Sequence, residues 1–177
     1  MAPRIPPVEE PDEEQQELLA KTLMGPDGQP LNVFKTLAHR PRLLRRVNAL
    51  GGYFMAHGAI PVRERELVIL RVAARADSEY EIGQHRWIAA KAGLTAAEID
   101  AAVDPAREQP FTDDELALLA LADELAATDT ISDALWERLG GHWSDDERLE
   151  LLVLAGFYRL LAGVLNGAGV ELDDSVT

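Results

Sequence analysis

The sequence contains no cysteine, so any chemistry that needs a thiol is absent from it. Disulfide bonds, thiolate nucleophiles, cysteine-ligated zinc and iron–sulfur clusters are all excluded. Aromatic residues are scarce, at 6% of the 177 residues, but hydrophobic residues as a whole reach 47%. This composition, in a chain of ordinary domain length, predicts a folded protein with an apolar core.

Basic residues are also few. Lys and Arg number 17 against 31 Asp and Glu, which gives a formal net charge of −14. Phosphate backbones and anionic lipid surfaces repel such a chain, so we expect neither nucleic acid nor membrane as a partner. Residues 31–75 are an exception, with nine basic and two acidic side chains. That segment can form ion pairs within the chain or between subunits, or it can attract a small organic anion.

Long apolar stretches are limited to residues 151–170. Arg159 near the middle and Asn166 make this stretch a poor membrane span, and acidic flanks do not fit the usual topology signals. We interpret it as a buried core helix or a subunit-interface helix. The first residues are rich in proline and acid and lack the apolar segment of a secretory signal. We therefore expect a soluble, cytoplasmic protein.

No segment shows the two-residue alternation of β-strands, so we predict an all-α fold of about seven or eight helices. Helix starts are indicated by Ser/Thr-x-x-Glu capping boxes at Thr95–Glu98, Thr112–Glu115, Ser144–Glu147 and Ser78–Glu81. Residues 104–110 are predicted to be a loop. The proline-rich residues 1–10 are predicted to form an extended arm, and residues 11–177 a single helical domain.

Residues 61–94 contain the Glu and His residues that are the main candidates for catalysis. They predict a helix, a short turn at residues 76–78 and a second helix. Glu81 and His85 are four residues apart, so they share one face of the second helix. If the helices pack antiparallel, Glu66 lies opposite His85. A carboxylate that orients an imidazole makes a proton shuttle that works near neutral pH.

Three runs within this segment resemble the carboxymuconolactone decarboxylase and AhpD-like superfamily. They are RERELVILRVA (63–73), SEYEIGQH (78–85) and AGLT (92–95). The resemblance is closest over residues 55–103 and weaker as far as residue 170. It implies a small AhpD-like helical protein with a central helical hairpin that assembles into homo-oligomers, usually trimers or hexamers. It also implies an enzyme without a cofactor.

In the alkylhydroperoxidase branch, a Glu is followed twelve residues later by Cys-x-x-Cys and then by a His four residues further on. Glu66, Ser78, Glu81 and His85 occupy these positions with the same spacing. Ser and Glu cannot cycle through a disulfide, so thiol-dependent peroxide reduction is excluded. What remains resembles the lactone decarboxylases, which implies a lyase acting on a small carboxylated lactone or ring acid. In that interpretation His85 transfers the proton, Glu66 orients it, and Glu81 is a third catalytic candidate.

Four further residues are candidates for a substrate pocket: Ser78, Tyr80, His57 and Tyr53. Each also has a purely structural explanation, because Ser78 with Glu81 can cap a helix and the others can serve in packing. Two other functions remain open. The chain can be a non-catalytic oligomeric protein that keeps the fold, or a metal-dependent hydrolase that uses Glu81, His85 and His57. The second is weak, because Glu-x-x-x-His alone rarely defines a metal site.

Overall fold

The computed structural model describes residues 2–174, and in this range the secondary structure is helical apart from one isolated bridge between Met24 and Pro30. The all-α prediction is therefore confirmed. The described helices are α1 (Glu13–Leu19), α2 (Asn32–Leu37), α3 (Pro41–Ala56), α4 (Val62–Arg75), α5 (Glu79–Lys91), α6 (Ala96–Val103), α7 (Asp113–Thr128), α8 (Asp133–Gly140) and α9 (Asp145–Ala168). These nine exceed the predicted seven or eight, because α1 and α2 are short helices of 7 and 6 residues with little periodicity to reveal them.

Contacts group the chain into two compact units. The first consists of residues 1–57 and 164–177, and within its described part α1 and α2 pack against α3. Residues 2–10 contain no helix, and the amides of Arg4 and Ile5 donate to the Ala168 carbonyl at 2.8 and 3.1 Å. The predicted single domain over residues 11–177 stays a prediction.

The second unit, residues 58–163, is built around α4. Every residue of α4 from Arg65 to Ala73 is buried, and the helix contacts α5, α6 and α7. Leu67 and Leu70 join the cluster of apolar side chains that α5, α6 and α7 also supply. Because α4 is enclosed on every side, its polar residues Glu66 and Arg71 are buried too. Buried charged groups require partners, and the partners of Glu66 define the candidate site.

Three of the four predicted capping boxes are formed. Thr95 and Glu98 cap α6, Thr112 and Glu115 cap α7, and Ser144 and Glu147 exchange the same contacts at the start of α9. Residues 104–110 form the predicted loop. Arg63, in the first turn of α4, then joins two of these caps, because its guanidinium contacts the carboxylates of Glu98 and Glu115. The N-terminal end of α4 is thereby fixed to α6 and α7.

The turn between α4 and α5 is tight. Asp77 has a positive φ of 50°, and the Ser78 amide donates to the Ala73 carbonyl at 2.9 Å. This left-handed residue ends α4 and reverses the chain within three residues, so α5 packs directly along α4. The predicted helical hairpin over residues 61–94 is confirmed.

The last helix, α9, is long and apolar enough to cross a membrane by length and composition alone. Its mean hydropathy is 1.6, and 44% of its most apolar window is buried. Leu151, Leu154 and Tyr158 are among its buried side chains in the second unit. A core helix of a soluble protein passes the same test, which agrees with the interpretation from the sequence.

Candidate active site

The hairpin brings Glu66 and His85 into contact. Glu66 Oε2 lies 2.6 Å from His85 Nδ1, and no part of the Glu66 side chain is exposed to solvent. A carboxylate can only accept, so Nδ1 carries the hydrogen and Nε2 is left as the second functional atom of the ring. His85 keeps 9% of its side chain exposed, so the imidazole is the member of the pair that a ligand can reach.

Arg65 extends this pair into a chain of three groups. Its Nε donates to Glu66 Oε1 at 3.0 Å, so the two carboxylate oxygens of Glu66 serve two different partners. Arg65 is itself buried. A buried ion pair in which both oxygens accept hydrogen bonds fixes the orientation of the carboxylate, and through it the imidazole plane.

Tyr158 of α9 forms the aromatic wall beside the imidazole. Its ring meets the His85 ring edge to face, with centroids 5.0 Å apart and an interplanar angle of 88°. Burial raises the pKa of Tyr158 well above its ordinary value of 10, and Glu66 and, once it ionises in alkaline solution, Glu81 raise it further. The phenol is therefore uncharged at neutral pH. No sequence pattern points to Tyr158, because it lies in an apolar run and its partner His85 is 73 positions away.

Glu81 lies on the same face of α5 as His85. Its hydrogen bonding differs from that of Glu66, whose two carboxylate oxygens both accept hydrogen bonds. It is 3% exposed, and neither of its carboxyl oxygens has a hydrogen-bond partner in the described chain. Burial raises the pKa of Glu81 from 4.5 to about 8, and the neighbouring Ser78 hydroxyl offsets this only in part. A carboxyl group that has lost its water and gained no donors is more stable protonated. Glu81 is therefore an uncharged acid at neutral pH.

The capping box predicted for Ser78 and Glu81 is wrong. Ser78 stands at the N-cap of α5, but its side chain accepts no hydrogen bond from the helix and its hydroxyl is buried without a partner. The cause lies in the backbone. The N-cap residues whose side chains accept a helix amide have ψ between 152° and 177°, for example Thr95 at 159°, whereas the tight turn holds Ser78 at 87°. The hydroxyl is consequently turned away from the Glu81 amide.

The remaining pocket candidates are placed as follows. Tyr80 is buried in the first turn of α5, next to Glu81. Tyr53 and His57 belong to the first unit, at the end of α3, and both are exposed. Tyr53 contacts the ring of Phe54 edge to face at 5.5 Å. A pocket role for these three residues stays a prediction.

A metal site is not indicated. Among residues 2–174, no group of three or more His, Asp or Glu side chains is arranged to hold a metal ion. Glu66 is already bonded through both of its oxygens. The hairpin instead holds an imidazole oriented by a buried carboxylate, with an uncharged carboxylic acid on the same helix face as the imidazole.

The fold and this site define a class of small helical proteins related to AhpD. Residues 41–124, which include the whole hairpin, match the model of the Carboxymuconolactone decarboxylase family. This match confirms the resemblance inferred from Glu66, Ser78, Glu81 and His85, and the chain contains no cysteine pair. No protein of curated function matches the sequence significantly.

Solved structures share the fold over nearly the whole chain. The alkylhydroperoxidase AhpD core of an uncharacterized peroxidase-related protein from Ralstonia eutropha JMP134 has a TM-score of 0.81 at 24% identity, covering 96% of this chain and 92% of its own. An uncharacterized peroxidase-related protein from Silicibacter sp. TM1040 has a TM-score of 0.85 at 17% identity. The match covers 99% of this chain and 96% of the Silicibacter protein. The debrominase Bmp8 in complex with 2,3,4-tribromopyrrole has a TM-score of 0.76 at 15% identity, with 99% and 94% covered. At these identities the likeness establishes the fold alone.

Proposed function

We propose that the protein is a cofactor-independent lyase of the carboxymuconolactone decarboxylase type. Its substrate is a small carboxylated lactone or ring acid, and the reaction proceeds by proton transfer through His85 and Glu66. The observation that carries the proposal is the buried contact of 2.6 Å between Glu66 and His85. A histidine that a buried carboxylate holds in one orientation through Nδ1 can donate and accept a proton at Nε2.

The reaction requires a group of this kind. When the substrate carboxylate leaves as carbon dioxide, the electrons of the broken C–C bond pass into the conjugated carbonyl group and give a dienolate. A proton must then be delivered to carbon, which the protonated His85 does from Nε2. The imidazole recovers its proton from water, so one proton is consumed for each carbon dioxide released. Glu66 stabilises the charged imidazole until His85 transfers the proton to carbon.

Peroxide reduction does not suit this chain, although two of the structural relatives are called peroxidase-related. A disulfide-cycling peroxidase needs two thiols, and Ser78 and Glu81 stand where that branch has cysteines. The debrominase of the same fold binds a halogenated pyrrole, and a small ring compound as ligand agrees with the proposal made here. We propose further that the protein is cytoplasmic, needs no cofactor and works as a homo-oligomer, a trimer or a hexamer.

The experiment is carbon dioxide release from a panel of carboxylated lactones and β-keto acids. We expect turnover by the wild type that falls about 100-fold or more in His85→Ala and Glu66→Gln, the scale usual for loss of general acid–base catalysis. His142→Ala is the matched control. This histidine is exposed and forms an ion pair at 3.2 Å with Asp114, which is exposed as well. Turnover that survives both site substitutions would contradict the mechanism. No release from any compound would favour a non-catalytic protein that keeps the fold.

A further inference from the structure

The start of α5 holds three buried polar atoms that make no hydrogen bond within the described chain, although the Ser78 hydroxyl lies near enough to Glu81 to lower the pKa of its carboxyl group. They are the Ser78 hydroxyl oxygen and both carboxyl oxygens of Glu81, and each is shielded from solvent. Ser78 is 0% exposed and Glu81 is 3% exposed. Buried polar groups are nearly always hydrogen-bonded, and a group that is not destabilises the folded state. Two such side chains in one helical turn, beside the Glu66–His85 pair, are therefore more consistent with ligand binding than with stability.

The charges around Glu81 determine which form of its carboxyl group is present. On α4, Arg65 and Glu66 form an ion pair and largely cancel each other. On α9, Tyr158 is uncharged, and on α5 His85 is engaged with Glu66. No cation contacts Glu81 directly in the described chain, so nothing compensates an ionised carboxylate there. The O–H form can donate a hydrogen bond, and so can the hydroxyl of Ser78.

We propose that the first turn of α5 is an oxyanion subsite, in which the Ser78 hydroxyl and the Glu81 carboxylic acid donate hydrogen bonds to one anionic oxygen of the ligand. The ligand class is a conjugated oxyanion, an enolate or a phenolate. The subsite rests on the proposed function in one respect, since the dienolate left by decarboxylation carries such an oxygen. Glu81 keeps its proton throughout, so no covalent step is added.

The position of the subsite adds to its suitability. The N-terminal turn of a helix carries a partial positive charge, which stabilises a bound anion. α5 is 13 residues long, and its N-cap side chain does not occupy the turn. The two glutamates then have different roles in the reaction. His85 and Glu66 move the proton, while Ser78 and Glu81 hold the oxygen on which negative charge accumulates.

A stable phenolate tests the subsite without turnover. We would titrate the protein with 4-nitrophenol, whose absorbance distinguishes phenol from phenolate, between pH 6 and pH 9. A hydrogen bond to a charged group contributes about 1.5–3 kcal/mol. We therefore expect Ser78→Ala and Glu81→Leu each to weaken phenolate binding about 10- to 100-fold. Glu79→Gln is the matched control, because Glu79 is exposed and lies in the same turn.

The pH dependence provides the second arm. In the wild type, phenolate affinity falls as pH rises through about 8, because the ionised Glu81 repels the anion and no longer donates. Glu81→Gln keeps an N–H donor and cannot ionise, so it binds the phenolate within a few-fold of the wild type at pH 6 and retains that affinity at pH 9. Folding of each variant is checked by circular dichroism.

Three results would overturn the subsite. They are no binding of 4-nitrophenolate by the wild type, equal binding by the wild type, Ser78→Ala and Glu81→Leu, or an affinity that does not fall above pH 8. The outcomes separate this inference from the proposed function. Phenolate binding that needs Ser78 and Glu81, without carbon dioxide release from any substrate, refutes the lyase and supports the subsite. Carbon dioxide release at wild-type rate in Ser78→Ala and Glu81→Leu refutes the subsite and leaves the lyase standing.

Discussion

Two buried glutamates, Glu66 and Glu81, lie near Tyr158, and they differ in their hydrogen-bond partners. Glu66 accepts hydrogen bonds from Arg65 and His85, whereas Glu81 accepts none. The same residue type therefore supplies an orienting carboxylate at one position and an uncharged acid at the other. Pairs of titratable groups with contrasting environments are a usual mark of acid–base sites. This contrast is what the structure adds to a sequence in which both are simply Glu.

Glu81 makes stability depend on pH in a particular direction. Its pKa is about 8 in the folded protein against 4.5 ordinarily, so the folded state binds more protons between these values. Stability from this group is complete below about pH 4.5 and is lost as pH rises through 8. We expect Glu81→Gln to match the wild type near pH 4 and to exceed its free energy of unfolding by on the order of 5 kcal/mol at pH 9.

Urea denaturation across this pH range measures the effect. Glu79→Gln serves as control, since an exposed glutamate on the same helix should leave the pH profile of the wild type unchanged. A constant difference between Glu81→Gln and the wild type at every pH would show that Glu81 is not held protonated.

At the scale of elements, helix starts with the same pattern behave differently. Thr95 and Glu98 form a complete capping box, so Thr95→Ala should cost about 1 kcal/mol of unfolding free energy. Ser78 makes no cap and buries an unpartnered hydroxyl, so Ser78→Ala should cost nothing or should stabilise slightly. Chemical denaturation of both variants measures the two effects. A loss of about 1 kcal/mol in Ser78→Ala as well would mean that the serine does cap α5 in solution.

The sequence predicted what depends on local spacing. Four-residue spacing gave the face shared by Glu81 and His85, the hairpin gave the contact between Glu66 and His85, and three capping boxes gave helix starts. It failed where a feature depends on context. Ser78 matches the capping pattern perfectly, but the left-handed Asp77 beside it sets the backbone. Tyr158 reaches the site only through the packing of α9, which no local pattern encodes.

At the scale of the whole molecule, α9 has an apolar stripe that residues 2–174 leave exposed. Leu149, Val153 and Leu160 are exposed, and Gly156 and Gly163 continue the same face at alternating steps of three and four residues. Open space lies above both glycines. A stripe of this spacing suits close packing of two helices, and large exposed apolar faces commonly mark subunit contacts.

We therefore expect self-association through α9. Light scattering at micromolar concentration should give the mass of a trimer or a hexamer for the wild type, and a smaller mass for Leu160→Glu, because a charge cannot be buried at such a contact without cost. Leu43→Glu is the control, as Leu43 is equally exposed on another helix. A monomeric wild type would contradict the expectation.

Glu81 also couples the folding of the chain to the uptake of a proton from the solution. In the unfolded chain this side chain is ionised at neutral pH, whereas in the folded protein it holds a proton. Each molecule that folds at pH 7 thus removes nearly one hydrogen ion from the medium on account of this residue, and each that unfolds returns it. Glu81 therefore contributes proton uptake to the folding reaction at neutral pH.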